Sequence, residues 1–502
     1  MLRSLAGALA VTILLTIPTL AADAPKATID TGVLTGAGDG SIDVYKGIPY
    51  AAPPMGGLRW EPPAAPAAWS GTRDATAFGA ICPQPARPDM QLAAGAGGVQ
   101  SEDCLYLNVF APHGARKAPV MVWIHGGAHR FGSGSGPIYD GRNFARDGVV
   151  LVSINYRLGL LGYFAHPALT AAAAPDAPLG NYGQMDQIAA LKWVQRNIAS
   201  FGGDPSNVTV FGESAGGSSI LWLLATPSAK GLFTKAIVES GGGWNLPVTL
   251  SQKESEGADF AAKAGFANAT LEQLRSIPAA KTLDMPAALG FGPFIDGRLV
   301  TKTPAQAFAS GTATDVPLII GSNSFEASLM KSFAIPSDRI IGRLSPAARA
   351  VYAGDTSSDD ALAAAVFTDS VMGGPAHWVA AKASGGAPSW LYHFSYVISM
   401  RRASSPGANH GSEIPYVFST GSALASRFGI TLSDEDSGME RLMHSCWVGF
   451  AKSGKPACDG QTWPAFTPGA DQLFEFGTKP GVVSDFRKPQ YEALETVLLP
   501  GR

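Results

Sequence analysis

Cysteine is scarce: four stand among 502 residues, at 82, 104, 446 and 458, and none forms a Cys-x-x-Cys pair. No His-Glu-x-x-His run exists either, so the common spacings of a zinc site are missing and neither metal nor cofactor is expected. Charge is thin as well, at 15% of residues with a formal net charge of −3. Without a basic field the chain has no electrostatic means of holding nucleic acid. Beyond the N-terminus every apolar run is broken by Gly, Pro or charge, which excludes an internal membrane span. What remains is an apolar fraction of 46%, enough for a large core.

The exception opens the chain. Met1-Leu-Arg-Ser, the apolar Leu5 to Leu20 and the small Ala21-Ala22 have the form of a secretory signal over 1–22. Pro18 and the short run argue against an uncleaved anchor, so the expected mature chain starts at Asp23 and is secreted or periplasmic, with no stable membrane anchor. In an exported chain the cysteines favour two local disulfides, Cys82–Cys104 and Cys446–Cys458; four free thiols in a cytosolic chain are the alternative.

Glycine is abundant, and one glycine-bounded stretch organises the rest. Val208 to Phe211 read as a buried strand and Gly217 onward as an apolar helix, so the chain must turn sharply at Ser214 within Gly212-Glu-Ser-Ala-Gly216. With 59 glycines, such a pentapeptide arises by chance roughly half a time per chain, so its strand-turn-helix context carries the weight. A turn of this kind exposes the Ser214 hydroxyl and aims the Ala215 amide at the place where an oxyanion would form; a solvated serine in a plain turn is the alternative. A second glycine-dense loop, His125-Gly-Gly-Ala-His-Arg130 and onward to Gly136, follows the strand Val120 to Ile124. There Gly127 and Ala128 would add two amide donors, unless the loop is merely flexible.

Ile29 to Val33 and Ile42 to Tyr50 alternate as an antiparallel hairpin around Gly36-Ala-Gly-Asp-Gly40. Further strands are expected at Leu105 to Phe110, Val149 to Asn155, Ala236 to Glu239, Leu318 to Gly321 and Trp390 to Phe394, with a helix over Asn181 to Ala199. Alternating strands and helices predict one α/β domain, 23–502, built on a large, mostly parallel twisted sheet with helices on both faces. Ala-rich helical stretches at about 245–302 and 332–386 would cap the sheet's carboxyl rim, where reactive groups belong.

A serine nucleophile needs a base, and the base needs a carboxylate. Of eight histidines, His410 lies in a loop of small residues after the Trp390 strand, where an imidazole can reach a cleft. His377, His393 and His444 read as core or surface residues, and His125 belongs to the glycine loop. Glu326, after the strand Leu318 to Gly321 and a short polar turn, supplies the acid; its rival Asp296 reads as the bonded residue of a turn.

With Ser214, Glu326, His410 and the glycine loop in place, the chain resembles the type-B carboxylesterase family, which includes the cholinesterases, within the α/β-hydrolase fold. The resemblance runs through Lys46-Gly-Ile-Pro-Tyr-Ala, Ser101-Glu-Asp-Cys-Leu-Tyr-Leu-Asn108, His125-Gly-Gly-Ala, Gly180-Asn-Tyr-Gly-Gln-Met-Asp186, Phe201-Gly-Gly-Asp-Pro, Gly321-Ser-Asn-Ser-Phe-Glu326 and His410-Gly-Ser-Glu-Ile-Pro. It implies a serine ester hydrolase of small-molecule esters in which Ser214 attacks, His410 moves the proton, Glu326 orients it, and Gly127, Ala128 and Ala215 hold the oxyanion. It assigns Glu213 and Ser240 to positions that line or support the site, matches Cys82–Cys104 to the family's first disulfide, and suggests an Arg59–Glu102 pair. Trp244, Phe291, Phe294 and Phe325 are expected to wall the pocket, with a place in the core as the alternative. Arg130 stands where the family commonly has an apolar residue, which suggests recognition of carboxylate-bearing esters such as the polycarboxylate, fumonisin-type substrates of some bacterial members; a pair with Asp140 is the alternative. Two further readings of the same fold are a neuroligin-like binding module, which would lack the nucleophile, and an amide or peptide hydrolase. Oligomeric state has no signature in the residues.

Overall fold

The computed structural model describes residues 24–87, 95–283, 290–342, 344–352, 354 and 358–499; the expected signal over 1–22 lies outside them. The strands in chain order are β1 (Lys26–Ile29), β2 (Gly32–Thr35), β3 (Ala37–Gly38), β4 (Ile42–Pro49), β5 (Thr72–Asp74), β6 (Tyr106–Pro112) and β7 (Ala118–Ile124). They continue with β8 (Val150–Ile154), β9 (Gly203–Glu213), β10 (Lys235–Glu239), β11 (Leu318–Asn323), β12 (Ser389–Phe394), β13 (Gln472–Phe476) and β14 (Gly481–Ser484). An 11-stranded sheet runs β14-β13-β12-β11-β10-β9-β7-β8-β6-β4-β3. Its middle, from β8 through β7 and β9 to β13, is parallel, while β3, β4, β6 and β14 are antiparallel.

Two-sided burial explains why the central strands are apolar throughout. Because successive side chains point to opposite faces, β7 sends Val120, Val122 and Ile124 into a core shared with Met185, Leu191 and Trp193 of the helix Tyr182–Asn197. Met121 and Trp123 enter the opposite core with Met443, Trp447 and Phe450 of the helix Asp434–Ser453. Helices therefore cover both faces, as an α/β-hydrolase sheet requires.

The expected hairpin of Ile29–Val33 with Ile42–Tyr50 is not formed. The first run is broken by a turn at Asp30 and Thr31, after which Gly32 pairs back on Ile29. β1 and β2 pair with each other and, with β5, make a separate three-stranded sheet. The stretch 36–40 instead contains the short β3, which pairs with β4.

Of the two stretches expected to cap the rim, 245–302 contributes the helices Leu250–Lys263 and Leu271–Ser276. In 332–386 the last helix, Gly374–Ala383, packs against β11 and β12 and so belongs to the sheet's own cover rather than to its rim. The bridges Cys82–Cys104 and Cys446–Cys458 are both formed. Arg59 Nε donates to Glu102 Oε2 at 2.7 Å beside the first.

Between the ends of β8 and the helix Tyr182–Asn197, Arg157 holds Asp186 through Nε and Nη2, both at 2.8 Å, with side-chain exposures of 3% and 0%. Removing one partner of such a pair leaves a bare buried charge. Asp186→Ala is expected to destabilise the fold by about 3–5 kcal/mol, measured by urea unfolding.

Candidate active site

Ser214 terminates β9 and caps the helix Ala215–Ala225, with φ 57° and ψ −121°. The helix starts two residues earlier than the apolar pattern implied, which tightens the turn. The tightness is set by β7: a Cβ on Gly212 would come within 2.5 Å of the Ile124 carbonyl oxygen, and one on Gly216 within 1.9 Å. Only glycine at both flanks lets the turn sit on the strand end. As the first helical residue, Ala215 has an amide without an intrahelical acceptor.

His410 lies beside this turn. Its Nδ1 is 2.5 Å from Glu326 Oε2, while Glu326 Oε1 accepts from Ser240 Oγ at 2.6 Å and from the Asn323 amide at 2.7 Å. Glu326 is fully buried, so its orientation is fixed by these donors. The loop carrying His410 is clamped to the loop carrying Glu326. Phe325 N donates to Ala408 O at 2.8 Å, Ala408 N to Ser324 Oγ at 2.8 Å, and His410 N to Ser328 Oγ at 3.0 Å.

His410 Nε2 is buried without a hydrogen-bond partner, although Glu213 Oε1 lies 2.9 Å away in ion-pair contact. Burial alone would push the imidazole's pKa down, but the nearby carboxylates of Glu213 and Glu326 outweigh it and hold His410 well above its ordinary value. Two further carboxyls stand close by, present in the sequence reading only as the end of a strand (Glu239) and a member of a quoted motif (Glu413). Glu239 accepts from Trp447 Nε1 at 2.7 Å, and burial pushes its pKa up to about 8. Glu413, held by Asn323 Nδ2, is raised well above its ordinary value by burial and by its carboxylate neighbours, Glu213 first. At neutral pH this cluster therefore carries fewer charges than it has carboxyls. The signal that could have found it was the glutamate in His410-Gly-Ser-Glu413 and in Glu239-Ser-Gly, read as buried rather than solvated.

On the other side of Ser214, the loop after β7 runs through Gly127 (φ 100°), Ala128 (φ 55°) and His129 (φ 55°). A Cβ on Gly127 would lie 2.0 Å from Phe131 O, whose amide in turn donates to Gly127 O at 3.1 Å. Ala128 tolerates this left-handed run despite its methyl. His129 turns inward, its Nε2 3.0 Å from Ser219 Oγ, and burial pushes its pKa down to about 4.

A cavity of about 910 Å³ opens from Ser214, Ala128 and Ala215. Arg130, Ser240, Trp244, Phe291 and Phe294 line it. Phe325 does not: it walls a different cavity behind the Glu326 loop, because the clamp to Ala408 turns it away from Ser214. Glu213 lies beneath the wall, against His410. Arg130 is not paired with Asp140, which holds Arg142 instead; its guanidinium lies over the Phe291 ring, 5.4 Å from the centroid. Lys253 and Arg339, unremarked in the sequence, also reach this cavity. Asp296 accepts from the amides of Leu179, Leu299 and Val300 and is a structural residue of its turn. Among the described residues there is no His, Cys, Asp and Glu grouping suited to a metal ion.

Sheet order, a strained serine at a strand-to-helix turn and a histidine–glutamate pair at the carboxyl rim define an α/β-hydrolase. The carboxylesterase family model matches residues 23–348 and 342–494, and the chain belongs to that family, type B. It is 38% identical over 463 residues to a para-nitrobenzyl esterase of Bacillus subtilis (strain 168), covering 88% of this chain and 92% of that one. It is 36% identical over 486 residues to a fumonisin B1 esterase of Sphingopyxis macrogoltabida, covering 91% and 88% respectively. Among solved structures, a PNB esterase superposes with a TM-score of 0.83 at 35% identity over 93% of this chain and 99% of that one. A Geobacillus stearothermophilus carboxylesterase at pH 6.2 gives a TM-score of 0.81 at 33% identity, with the same coverage. The protein is thus a carboxylesterase.

Proposed function

We propose that this carboxylesterase works through an acyl-enzyme on Ser214. His410 Nε2 accepts the hydroxyl proton and returns it to the leaving alcohol, while Glu326 fixes the ring's tautomer and steadies the imidazolium. The amides of Gly127, Ala128 and Ala215 take the developing oxyanion. One observation carries this reading: an imidazole bound at Nδ1 by a buried carboxylate, beside a serine at a strained turn. Export of the mature chain is part of the same proposal and fits its two disulfides. We also read 245–302 and much of 332–386 as caps, since Leu246 and Phe291 from one stretch and Phe333 and Ile340 from the other wall the same cavity. A phosphonate ester should label the protein irreversibly, and mass spectrometry should find the adduct on the peptide containing Ser214. A label on any other residue would overturn the assignment.

Within this class we propose a preference for esters bearing a free carboxylate. Arg130 and Arg339 reach the cavity, as does Lys253, which Glu256 already pairs at 2.8 Å, and the described lining includes no Asp or Glu; likeness to a fumonisin B1 esterase points the same way. A charge-assisted bond contributes about 1.5–3 kcal/mol, or roughly 10–100-fold. Arg130→Ala should lower kcat/KM for a tricarboxylate monoester relative to its neutral counterpart by that factor. An unchanged ratio would sink the preference and leave the esterase standing.

Glu213 sets the pH range. Activity needs neutral His410, so a raised imidazole pKa means that rate is lost as pH falls through that raised value. Glu213→Gln removes the first of the charges holding the proton on, so the acidic limb of kcat/KM should move to lower pH. A limb that stays in place would assign the raised pKa to Glu326 alone.

A further inference from the structure

Behind the clamp that joins the Glu326 and His410 loops lies a cavity of about 340 Å³, separate from the one at Ser214. Its sheath is apolar, built from Phe325, Pro406, Phe486 and the alanines 361, 364 and 365 of the helix Asp359–Thr368. Its polar end holds His393, Ser324 and the pair of Asp369 with Arg487. His393 is 7% exposed and its imidazole makes no hydrogen bond to any described residue, while the ring lies against Phe486 with centroids 4.5 Å apart. A neutral imidazole offers one acceptor and one donor, which is what a hydroxyl complements. Burial keeps this ring neutral, with its pKa pushed down to about 4. Asp369 and Arg487 present both signs side by side, so neither an anion nor a cation gains from the site. The volume is at the small end for ligand cavities and fits one ring or a short branched chain.

The wall of this cavity is also the clamp. Ser324 Oγ accepts the Ala408 amide, and Phe325 is bridged to Asn409, the residue before His410. On the far side of Glu326, Thr368 Oγ1 accepts the Ala327 amide at 3.2 Å. A molecule seated here touches both flanks of the loop that registers Glu326 against His410.

We infer that this cavity is a second ligand site for a compact, neutral alcohol or phenol, the kind of molecule that ester hydrolysis releases, and that its occupancy is felt at the catalytic pair through the clamp. The kinetic consequence rests on the triad proposed above, whereas binding does not, so the two can fail separately.

Phenol is the probe. Calorimetric titration of the whole protein should show a site that Ala365→Phe, which fills the cavity, abolishes. His393→Leu, which keeps the cavity but removes the hydroxyl's partner, should weaken the same site about fivefold. With 4-nitrophenyl acetate as substrate, phenol should change the wild-type kcat by about twofold or more; this effect should vanish in Ala365→Phe and need about fivefold more phenol in His393→Leu, while the kcat of both variants without phenol stays near wild type. Competition at the Ser214 cavity would instead raise KM alone. Binding and a kcat effect that both persist in Ala365→Phe, or a wild-type response confined to KM, would overturn the inference. Benzoate and benzylammonium should not reproduce the kcat effect; equal potency from either would also sink it.

Discussion

Ser214→Ala is expected to lower kcat for a nitrophenyl ester by about 10⁵–10⁶-fold, the scale seen when a triad serine is removed. The geometry explains why so much hangs on one oxygen. The backbone at residue 214 is in the left-handed region, a conformation that costs free energy for any L residue and persists because Gly212 and Gly216 let the turn lie on the end of β7. Alanine inherits that backbone, so the substitution removes the nucleophile without relaxing the turn or filling the cavity. What survives is the oxyanion site and the bound substrate, which still outpace water. Phosphonate labelling should disappear with the activity, while thermal unfolding stays near wild type. A variant that keeps more than about one hundredth of the rate would mean that some other group attacks.

How much of this was legible follows from how local each feature is. The elbow was readable because strand, serine and helix are contiguous, and the flanking glycines advertise a close approach even though its target, the Ile124 carbonyl, lies far away in sequence. The apolar strands β7, β8, β10 and β11 were readable because two-sided burial leaves uninterrupted Val, Ile and Leu runs. β3 and β14 were not, since short edge strands take their identity from the neighbour they pair with. The same limit applied at the site. Glu326 could be placed after a strand, but Glu213's contact with His410 joins residues 197 positions apart in the chain. The opposite error came with Phe325: an aromatic one residue before the acid reads as pocket wall, yet a hydrogen bond to Ala408 turns it into another cavity. Arg130 was legible as an oddity, but its place over Phe291 and its company of Lys253 and Arg339 are tertiary facts.

The second large effect concerns the acid. Glu326→Gln should cost about 10⁴-fold in kcat, as loss of the triad carboxylate does where the histidine tautomer is no longer enforced. Here the mechanism can be traced atom by atom. In the proposed triad Oε2, 2.5 Å from Nδ1, takes that nitrogen's proton, and the neutral ring would then have Nε2 free to accept from Ser214. Oε1 is already committed to Ser240 Oγ and the Asn323 amide, both donors. A glutamine at 326 must keep its carbonyl oxygen toward those two donors, which turns its NH₂ toward Nδ1. The amide then donates where the carboxylate accepted, the ring takes the proton on Nε2, and the proton it should collect from Ser214 has nowhere to go. Glu213, 2.9 Å from Nε2, reinforces the wrong tautomer by attracting that proton. Glu326→Gln combined with Glu213→Gln should therefore recover part of the loss, a non-additivity that a double-mutant cycle in kcat measures. Equal losses in the single Glu326→Gln and the double variant would show that Glu213 has no hold on the imidazole proton, and a loss below about tenfold in the single variant would remove Glu326 from the triad.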